Sequence, residues 1–377
     1  MNALALMALQ SLNPGKLHSG SVVEDSDQLF EFKRWRSNGF SDCEIYQLRS
    51  SQGTFAIRSW PNRVDSQSKV DYWSCLNASF SAATEDLKAI GAVNMAPFPA
   101  LIDWSKPGET PVTLLPFKER LWTLSDWVGG ESIRSSVVDQ SLVQHLATVL
   151  GRIHARTRLA RDRDGHPLGR HEMQSSSIRL RLNALKLLDH RLFSAVDRSA
   201  FFSTENLSDR VKHCVATVFE RQADWERFLN ICVTQERECY WIVRDLWREN
   251  VLLDSNQRFA SIVDLGASRI DWPGLDFIRL FGSLEYDQER SPGAIVHHRG
   301  DIWKDAYAAY TQENREHSIL SLDECKMLHL VSSGLSVLQW AIWGTDGTLN
   351  DGPPEKAKRI ANRISELSDR FLMESTE

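Results

Sequence analysis

Hydrophobic positions in the first third of the chain alternate in the way that half-buried strands do. Residues 44–48 and 54–60 are β-prone runs on either side of the turn at residues 50–53, which predicts a hairpin. Apolar residues in 29–36 have helical spacing instead and predict a short helix. Three more β-like runs lie at residues 100–102, 112–115 and 121–124, and helical stretches lie at 67–80 and 84–90. These elements predict a small α+β lobe with five strands.

Helical periodicity dominates after Gly129 and Gly130, which are typical of a hinge. Apolar residues of one helical stripe are Leu142, Leu146, Val149, Leu150 and Ile153. Further helical patterns cover residues 177–188, 207–233, 301–312, 322–342 and 355–373, with another from 275. Short β-like runs lie only at 240–243, 251–253 and 259–264, and 161–176 is polar and loop-like. We therefore expect an α+β protein with a small N-terminal lobe and a larger, mainly helical C-terminal lobe.

Three segments follow from this pattern. Residues 1–28 are expected to form a flexible N-terminal segment, because residues 10–28 are rich in Ser, Gly, Asn and Asp. The apolar residues 1–9 predict either a short helix or a frayed tail. We expect residues 29–128 to form the N-lobe, with a sheet and a helix, and residues 129–377 to form the helical C-lobe.

Composition narrows the class of protein. The 377 residues suffice for two domains or for one two-lobed domain, and a net charge of −6 gives no reason to expect a nucleic-acid partner. Six scattered cysteines have neither zinc spacing nor the density of a disulfide scaffold, so we expect reduced thiols and a cytoplasmic location. Residues 1–9 are too short to span a bilayer, and no membrane association is expected. Composition does not predict the oligomeric state.

The chemistry is concentrated in two adjacent motifs. Asp245 is followed five positions later by Asn250, and Asp264 stands before Gly266 in a β-like run. An Asp, an Asn and a second Asp in this order are the minimal set for transferring a phosphoryl group from ATP. One carboxylate takes the proton of the acceptor hydroxyl, while the amide and the second carboxylate hold Mg2+ against the phosphates. The spacing therefore predicts Asp245 as the catalytic residue and Asn250 and Asp264 as metal ligands.

The same stretch resembles the aminoglycoside phosphotransferase and choline kinase group, which has a protein-kinase-like fold. That group has His-Gly-Asp-Leu-His-x-x-Asn, and here residues 243–250 read Val-Arg-Asp-Leu-Trp-Arg-Glu-Asn. The sequence of residues 245–252 and 266–269 is similar to that of a divergent set of bacterial members. The resemblance covers about residues 30–345 and implies a bilobal fold, with ATP and Mg2+ as cofactors. It also implies that Asp276, in the next helix, buttresses the catalytic loop.

Weaker matches in the N-terminal part acquire roles from this resemblance. Residues 55–58 read Phe-Ala-Ile-Arg where kinases have Val-Ala-Ile-Lys, so Ala56 would face adenine and Arg58 would bind the phosphates. Gly39 and Ser41 occupy the position of the nucleotide loop. The Ser125 carbonyl and the Trp127 amide would bind adenine at the hinge. Four acidic residues are candidates for an ion pair with Arg58. Asp71 is preferred to Asp65, Glu85 and Asp86.

The expected activity is ATP- and Mg2+-dependent phosphorylation of a hydroxyl on a small molecule. The alternative is a pseudokinase, a nucleotide-binding or scaffold protein with the same fold, because Val243 replaces the usual His and Arg58 the usual Lys. Nothing after Asp264 resembles an activation segment ending in Ala-Pro-Glu, so a protein acceptor is disfavoured. An aminoglycoside acceptor would call for a dense acidic surface and a choline-like one for an aromatic cage. The sequence does not choose between them, or between ATP and GTP.

Overall fold

A computed structural model describes most of the chain, which folds into two compact units. The described residues are 5, 7–8, 30–35, 44–51, 53–60, 70–71, 73–74, 98–105, 112–133, 138–159, 171–203, 207–288, 299–314, 320–349 and 354–375. The first unit is drawn from Met1–Leu168, Val243–Arg269 and Gln312–Asn314. The second is drawn from Gly169–Ile242, Ile270–Thr311 and Arg315–Glu377. No helix in the described ranges is long and apolar enough to cross a membrane.

A six-stranded antiparallel sheet forms most of the first unit. Its order is β1-β2-β3-β6-β4, with β5 paired to β6 as well. The strands are β1 (Phe30–Trp35), β2 (Ile45–Ser50), β3 (Gly53–Trp60), β4 (Leu101–Ile102), β5 (Leu115–Phe117) and β6 (Arg120–Asp126). The hairpin predicted around residues 50–53 is confirmed, since Ser50 pairs with Gly53. Gly53 has a φ of 143°, which L side chains rarely adopt.

The helix predicted at residues 29–36 is wrong, because this segment is strand β1. It pairs along its whole length with β2, from Phe30 opposite Ser50 to Trp35 opposite Ile45. Phe32 stacks on Tyr46 with the ring centroids 5.0 Å apart. Backbone pairing and this cross-strand contact outweigh the weak helical spacing, and they give the described sheet a sixth strand.

One face of the sheet is covered by a hydrophobic core. It contains Tyr46 and Leu48 of β2, Phe55 and Ile57 of β3, and Trp122 and Leu124 of β6. Ala5 and Ala8 are fully buried in the same cluster. Residues 5, 7 and 8 are helical. Of the two alternatives for residues 1–9, the short helix therefore fits these three residues.

A second small sheet and a long helix complete the first unit. The sheet has the order β11-β10-β7, from β7 (Glu131–Ser132), β10 (Val251–Leu253) and β11 (Phe259–Ile262). Helix α1 (Gln140–Leu159) was predicted from its apolar stripe, and His145 on it accepts a hydrogen bond from the Phe259 amide at 3.3 Å. Gly130 precedes β7 with a φ of 131°, and a Cβ there would lie 2.6 Å from the Leu253 carbonyl oxygen.

The second unit is mainly helical. Its helices are α2 (Ser176–Lys186), α3 (Arg191–Arg198), α4 (Leu207–Thr234), α5 (Gly274–Gln288), α6 (Arg299–Glu313), α7 (Leu322–Thr345) and α8 (Pro354–Ser375). A three-stranded sheet has the order β12-β9-β8, from β8 (His171–Met173), β9 (Arg237–Ile242) and β12 (Arg269–Asp271). Strand β8 lies in the segment that was expected to be loop-like. Most predicted helices are present, and α3 was not predicted.

Candidate active site

The segment predicted to be the catalytic loop begins with a tight turn just before Asp245. The Asp245 amide donates to the Val243 carbonyl at 2.9 Å, which closes a three-residue turn around Arg244. Arg244 has a φ of 66°, in the left-handed region that L-residues rarely adopt. Such conformations persist only where the surrounding structure holds them, and they cluster at functional sites. The half-buried Asp245 therefore stands on a backbone fixed in an uncommon conformation.

Asn250 connects this turn to the segment that carries Asp264. Its side-chain amide donates to the Asp245 carbonyl at 2.9 Å. Its own carbonyl accepts from the Val263 amide at 2.8 Å. Because the Nδ2 group is used toward Asp245, the Oδ1 atom is the part of the side chain suited to a cation. Asp245 and Asn250 are therefore joined directly, and Asp264 directly follows Val263, which is bonded to Asn250.

Asp264 is paired with a cation of strand β3. The Arg58 guanidinium donates to the Asp264 Oδ1 atom, and the Gly266 amide donates to the same carboxylate. Arg58 is buried, with 8% of its surface exposed, and lies over the Trp60 ring at 4.9 Å. The residue assigned to the phosphates and a residue assigned to the metal are thus ion-paired in this structure. Sequence reasoning did not include Asp264 among the acids considered for Arg58.

The surroundings of Asp264 keep it ionised. Burial raises the pKa of its carboxyl, but the Arg58 charge and the hydrogen bonds from Arg58 and Gly266 outweigh burial. The net result is a pKa below the ordinary value. Asp264 also has a φ of 63° and directly precedes a short 3-10 helix, Leu265–Ala267. An ionised carboxylate on a fixed backbone is a suitable ligand for a hard cation.

Ala56 and Ser125 lie opposite each other across β3 and β6. The Trp127 amide donates to the Thr54 carbonyl at 3.0 Å. Because pairs of one kind recur at every second position of an antiparallel ladder, the Ser125 carbonyl also points toward β3. The two backbone groups predicted to bind adenine, the Ser125 carbonyl and the Trp127 amide, are therefore used within the sheet. The Asp126 amide points the other way and donates to the Ala100 carbonyl at 3.0 Å.

The remaining predicted positions have different outcomes. Gly39 and Ser41 lie outside the described residues, as do Asp65, Glu85 and Asp86. Asp71 lies in a described helical turn and is exposed, and its pairing with Arg58 stays a prediction. Asp276 is fully buried in α5, and its buttressing role stays a prediction. Within the described ranges, no three His, Cys, Asp or Glu side chains are grouped as a ready metal site.

Comparison with known proteins identifies the family. The model of the phosphotransferase enzyme family known as APH matches residues 87–312, which is more than half of the chain. The chain belongs to this family. The match spans the Asp245, Asn250 and Asp264 motifs, on which the resemblance to aminoglycoside phosphotransferases rests. Among curated proteins, none matches the chain significantly.

Solved structures show the fold of this family member. A protein assigned as an aminoglycoside phosphotransferase from Ralstonia eutropha is 10% identical, with 99% of this chain and 98% of that chain covered and a TM-score of 0.54. The amicoumacin kinase hAmiN, solved with AMP-PNP, Ca2+ and Ami, is 11% identical, with 91% and 89% covered and a TM-score of 0.53. Both likenesses agree with the predicted α+β kinase-like fold.

Proposed function

We propose that the protein transfers the γ-phosphoryl group of ATP to a hydroxyl of a small molecule, with Mg2+ as the required cation. The observation that carries the proposal is the network joining Asp245, Asn250 and Asp264, with Arg58 bonded to Asp264. A phosphoryl-transfer site depends mainly on positioning and on charge stabilisation. These contacts support both, because hydrogen bonds fix the backbone at Asp245 and the carboxylate of Asp264, and the buried Arg58 cation lies beside Asp264.

Asp245 is the proposed general base. It would orient the acceptor hydroxyl and take its proton late in a loose transition state. The left-handed turn at Arg244 and the Asn250 bond to the Asp245 carbonyl hold the Asp245 backbone in place. Arg58 would bind oxygens of the α- and β-phosphates. A guanidinium offers a planar fork of donors for this task, where the usual Lys offers a point charge.

The donor set fits a magnesium ion. Asn250 offers an amide oxygen, and Asp264 offers a carboxylate held in its ionised form by Arg58 and Gly266. Mg2+ prefers oxygen ligands and is often bound by one or two protein groups together with substrate phosphates. Bound Mg2+ would neutralise the charge that develops between the β- and γ-phosphates. The amicoumacin kinase was solved with AMP-PNP and Ca2+, which supports the proposal that the present protein also binds a nucleotide together with a divalent cation.

Adenine contacts are proposed for the backbone groups of β6 that point away from β3. Given the directions of the Trp127 and Asp126 amides, the proposed groups are the Asp126 carbonyl at the end of β6 and the Val128 amide just after it. Gly39 and Ser41 remain the proposed phosphate contacts of the nucleotide loop. Ala56 would lie against the base, next to Ser125 and Trp127. The N-lobe and C-lobe, with the boundary at residues 128 and 129, remain the proposed domains.

A small acceptor is favoured over a protein. Helix α5 begins at Gly274, ten positions after Asp264, so this part of the chain has no room for a peptide-binding activation segment. Small-molecule acceptors are also what the family relatives named above support. A cytoplasmic location accords with the four described cysteines, which are buried and form no disulfide.

The decisive experiment measures ADP release with ATP and Mg2+ over a panel of hydroxyl metabolites. Asp245→Asn is expected to lose at least a hundredfold in kcat, because the base is removed while its shape is kept. Asp224→Asn is the matched control, since Asp224 is an exposed carboxylate on α4. Equal turnover by wild type and Asp245→Asn would refute the assignment of the base.

The pseudokinase alternative is separated by nucleotide binding. A catalyst should show a thermal shift with ATP that requires Mg2+, together with turnover of at least one acceptor. A nucleotide-binding scaffold should show the shift without turnover of any acceptor in the panel. No shift at millimolar ATP would contradict the enzyme and would support a scaffold that binds no nucleotide. The replacement of the usual His by Val243 and the Arg58–Asp264 pair are the features that make this comparison necessary.

A further inference from the structure

A row of three side chains crosses the face of the six-stranded sheet that also carries Arg58. Gln47 of β2 pairs with Ala56 of β3, which pairs with Ser125 of β6. Their neighbours along these strands, Tyr46, Leu48, Phe55, Ile57 and Leu124, belong to the core on the other face. Because side chains alternate along a strand, the row and Arg58 share one face. That face is turned toward Asp264, to which Arg58 is bonded.

Gln47 is an unusual member of this row. Only 5% of it is exposed, yet its carboxamide makes no hydrogen bond to any other residue that the structure describes. Its amide atoms are not among the polar atoms that are fully enclosed without a partner, so they keep some contact with solvent on this face. On the same face Thr123 is satisfied, because its hydroxyl accepts from the Trp60 indole at 3.0 Å. Gln47 is therefore a polar group on this face that keeps its hydrogen-bonding capacity for a ligand lying against the row.

The spacing of the row fits a flat ring. Cross-strand neighbours are about 5 Å apart, and Ala56 between Gln47 and Ser125 has the shortest side chain. A base lying against the Ala56 methyl would have β6 at one edge and the longer Gln47 at the other. The proposed Asp126 and Val128 contacts take the edge toward β6. Gln47 then faces the opposite edge, where a purine has the acceptor nitrogens N7 and N3.

We propose that Gln47 donates a hydrogen bond from its carboxamide to N7 or N3 of the purine, and so selects purine over pyrimidine nucleotides. This inference rests on the proposed nucleotide-dependent function and names a residue that reads the base. A carboxamide has two N–H donors, so it can satisfy either ring nitrogen. Adenine and guanine both carry these nitrogens, so Gln47 contributes to purine recognition without separating ATP from GTP.

A cycle of protein and ligand changes tests the contact. Wild type and Gln47→Leu are titrated by calorimetry with the Mg2+ complexes of ATP, 7-deaza-ATP and 3-deaza-ATP. Wild type should bind one of the two deaza analogues roughly tenfold more weakly than ATP. Gln47→Leu should bind ATP and that analogue equally. Equal binding of all three nucleotides by wild type, or the same preference in both proteins, would overturn the proposal.

Thr123→Val is the matched control on the same face. It removes a hydroxyl that serves Trp60, so it should lower the thermal stability without ligand and leave the analogue preference intact. Gln47→Leu should leave stability without ligand nearly unchanged, because the carboxamide makes no hydrogen bond to another described residue that the change would break. A stability loss in Gln47→Leu with no change in analogue preference would make Gln47 structural and overturn the proposal.

The outcomes separate this inference from the function on which it rests. If wild type binds ATP and transfers phosphate but shows no analogue preference, the Gln47 contact is wrong and the phosphotransferase proposal stands. If wild type binds no nucleotide at millimolar concentration, both are wrong. If UTP and CTP bind as tightly as ATP, purine selection by Gln47 is refuted while nucleotide-dependent function stands.

Discussion

Arg58 and Asp264 lie 206 positions apart in the chain, and the guanidinium of the first donates to the carboxylate of the second. The side chain of Asp264 is 41% exposed and that of Arg58 is 10% exposed. A cation that coordinates Asp264 must therefore compete with a nearly buried guanidinium. When phosphates are present, Arg58 has a second set of anionic oxygens to bind. Nucleotide and metal are then expected to bind together more readily than either binds alone.

Removing the guanidinium should change the two affinities in opposite directions. In Arg58→Ala, Mn2+ alone should bind several-fold more tightly, because Asp264 loses its competing partner. The affinity for ATP with Mg2+ should fall roughly tenfold or more, because the phosphates lose a cation. Electron paramagnetic resonance of free Mn2+ measures the first, and calorimetry the second. Weaker Mn2+ binding in the variant would show that Arg58 supports the metal ligand and does not compete for it.

Asn250 has two separable tasks in the proposed site. Asn250→Asp keeps an oxygen for the metal but replaces the amide that donates to the Asp245 carbonyl at 2.9 Å. Binding of Mn2+ with nucleotide should be retained or tightened, whereas kcat should fall about a hundredfold because the Asp245 loop is no longer held. Parallel loss of Mn2+ binding and turnover would contradict two separate tasks.

The connection after β6 should depend on the close approach of Gly130 to the backbone of Leu253. A Cβ at Gly130 would lie 2.6 Å from the Leu253 carbonyl oxygen, and the φ of 131° is strained for any L side chain. Gly130→Ala should therefore destabilise the protein by about 2–3 kcal/mol. At Gly129 an added Cβ meets nothing within 4 Å, so Gly129→Ala should change stability by no more than about 0.5 kcal/mol. Urea midpoints followed by circular dichroism measure both, and equal midpoints for the two variants would contradict this account.

The sequence predicted the parts of this molecule that depend on local spacing. The Asp245, Asn250 and Asp264 motifs, the β2–β3 hairpin and helix α1 follow from residue types a few positions apart. Relationships between distant segments were not predictable in this way. The Arg58–Asp264 bond requires β3 to meet a loop from late in the chain.

The direction of the backbone carbonyls in β6 could not be predicted from the sequence for a related reason. The residue pattern of β6 marks the strand, but it does not indicate whether the Ser125 or the Asp126 carbonyl points toward β3. Pairing with Ala56 decides this, and it moves the proposed adenine contacts by one residue. The helix predicted at residues 29–36 is a strand for the same reason. Pairing of β1 with β2, and not local periodicity, fixes its conformation.

A buried charge cluster joins helices α5, α7 and α8 in the second unit. Glu374 accepts from the Arg370 Nε atom at 2.7 Å and lies 3.0 Å from His329 Nε2. Arg370 also donates to the Gly282 carbonyl. Burial raises the pKa of Glu374, but the charges and hydrogen bonds of His329 and Arg370 outweigh it and hold the pKa at about 2. Burial lowers the pKa of His329, although the charge of Glu374 opposes this shift.

Acid should therefore weaken the second unit through both groups. A depressed carboxyl pKa gives stability that is complete above the usual value of 4.5 and is lost as pH falls through about 2. A lowered His pKa acts in the same direction below 6.5, because the unfolded chain then binds a proton more readily than the folded ring does. At pH 7 Glu374→Gln should cost about 3 kcal/mol, and its difference from wild type should shrink between pH 4.5 and 2. Urea unfolding across pH 3–7 measures this, with the more exposed Glu366→Gln of α8 as a control expected to change little. A pH-independent difference would show that shape, and not charge, is what Glu374 contributes.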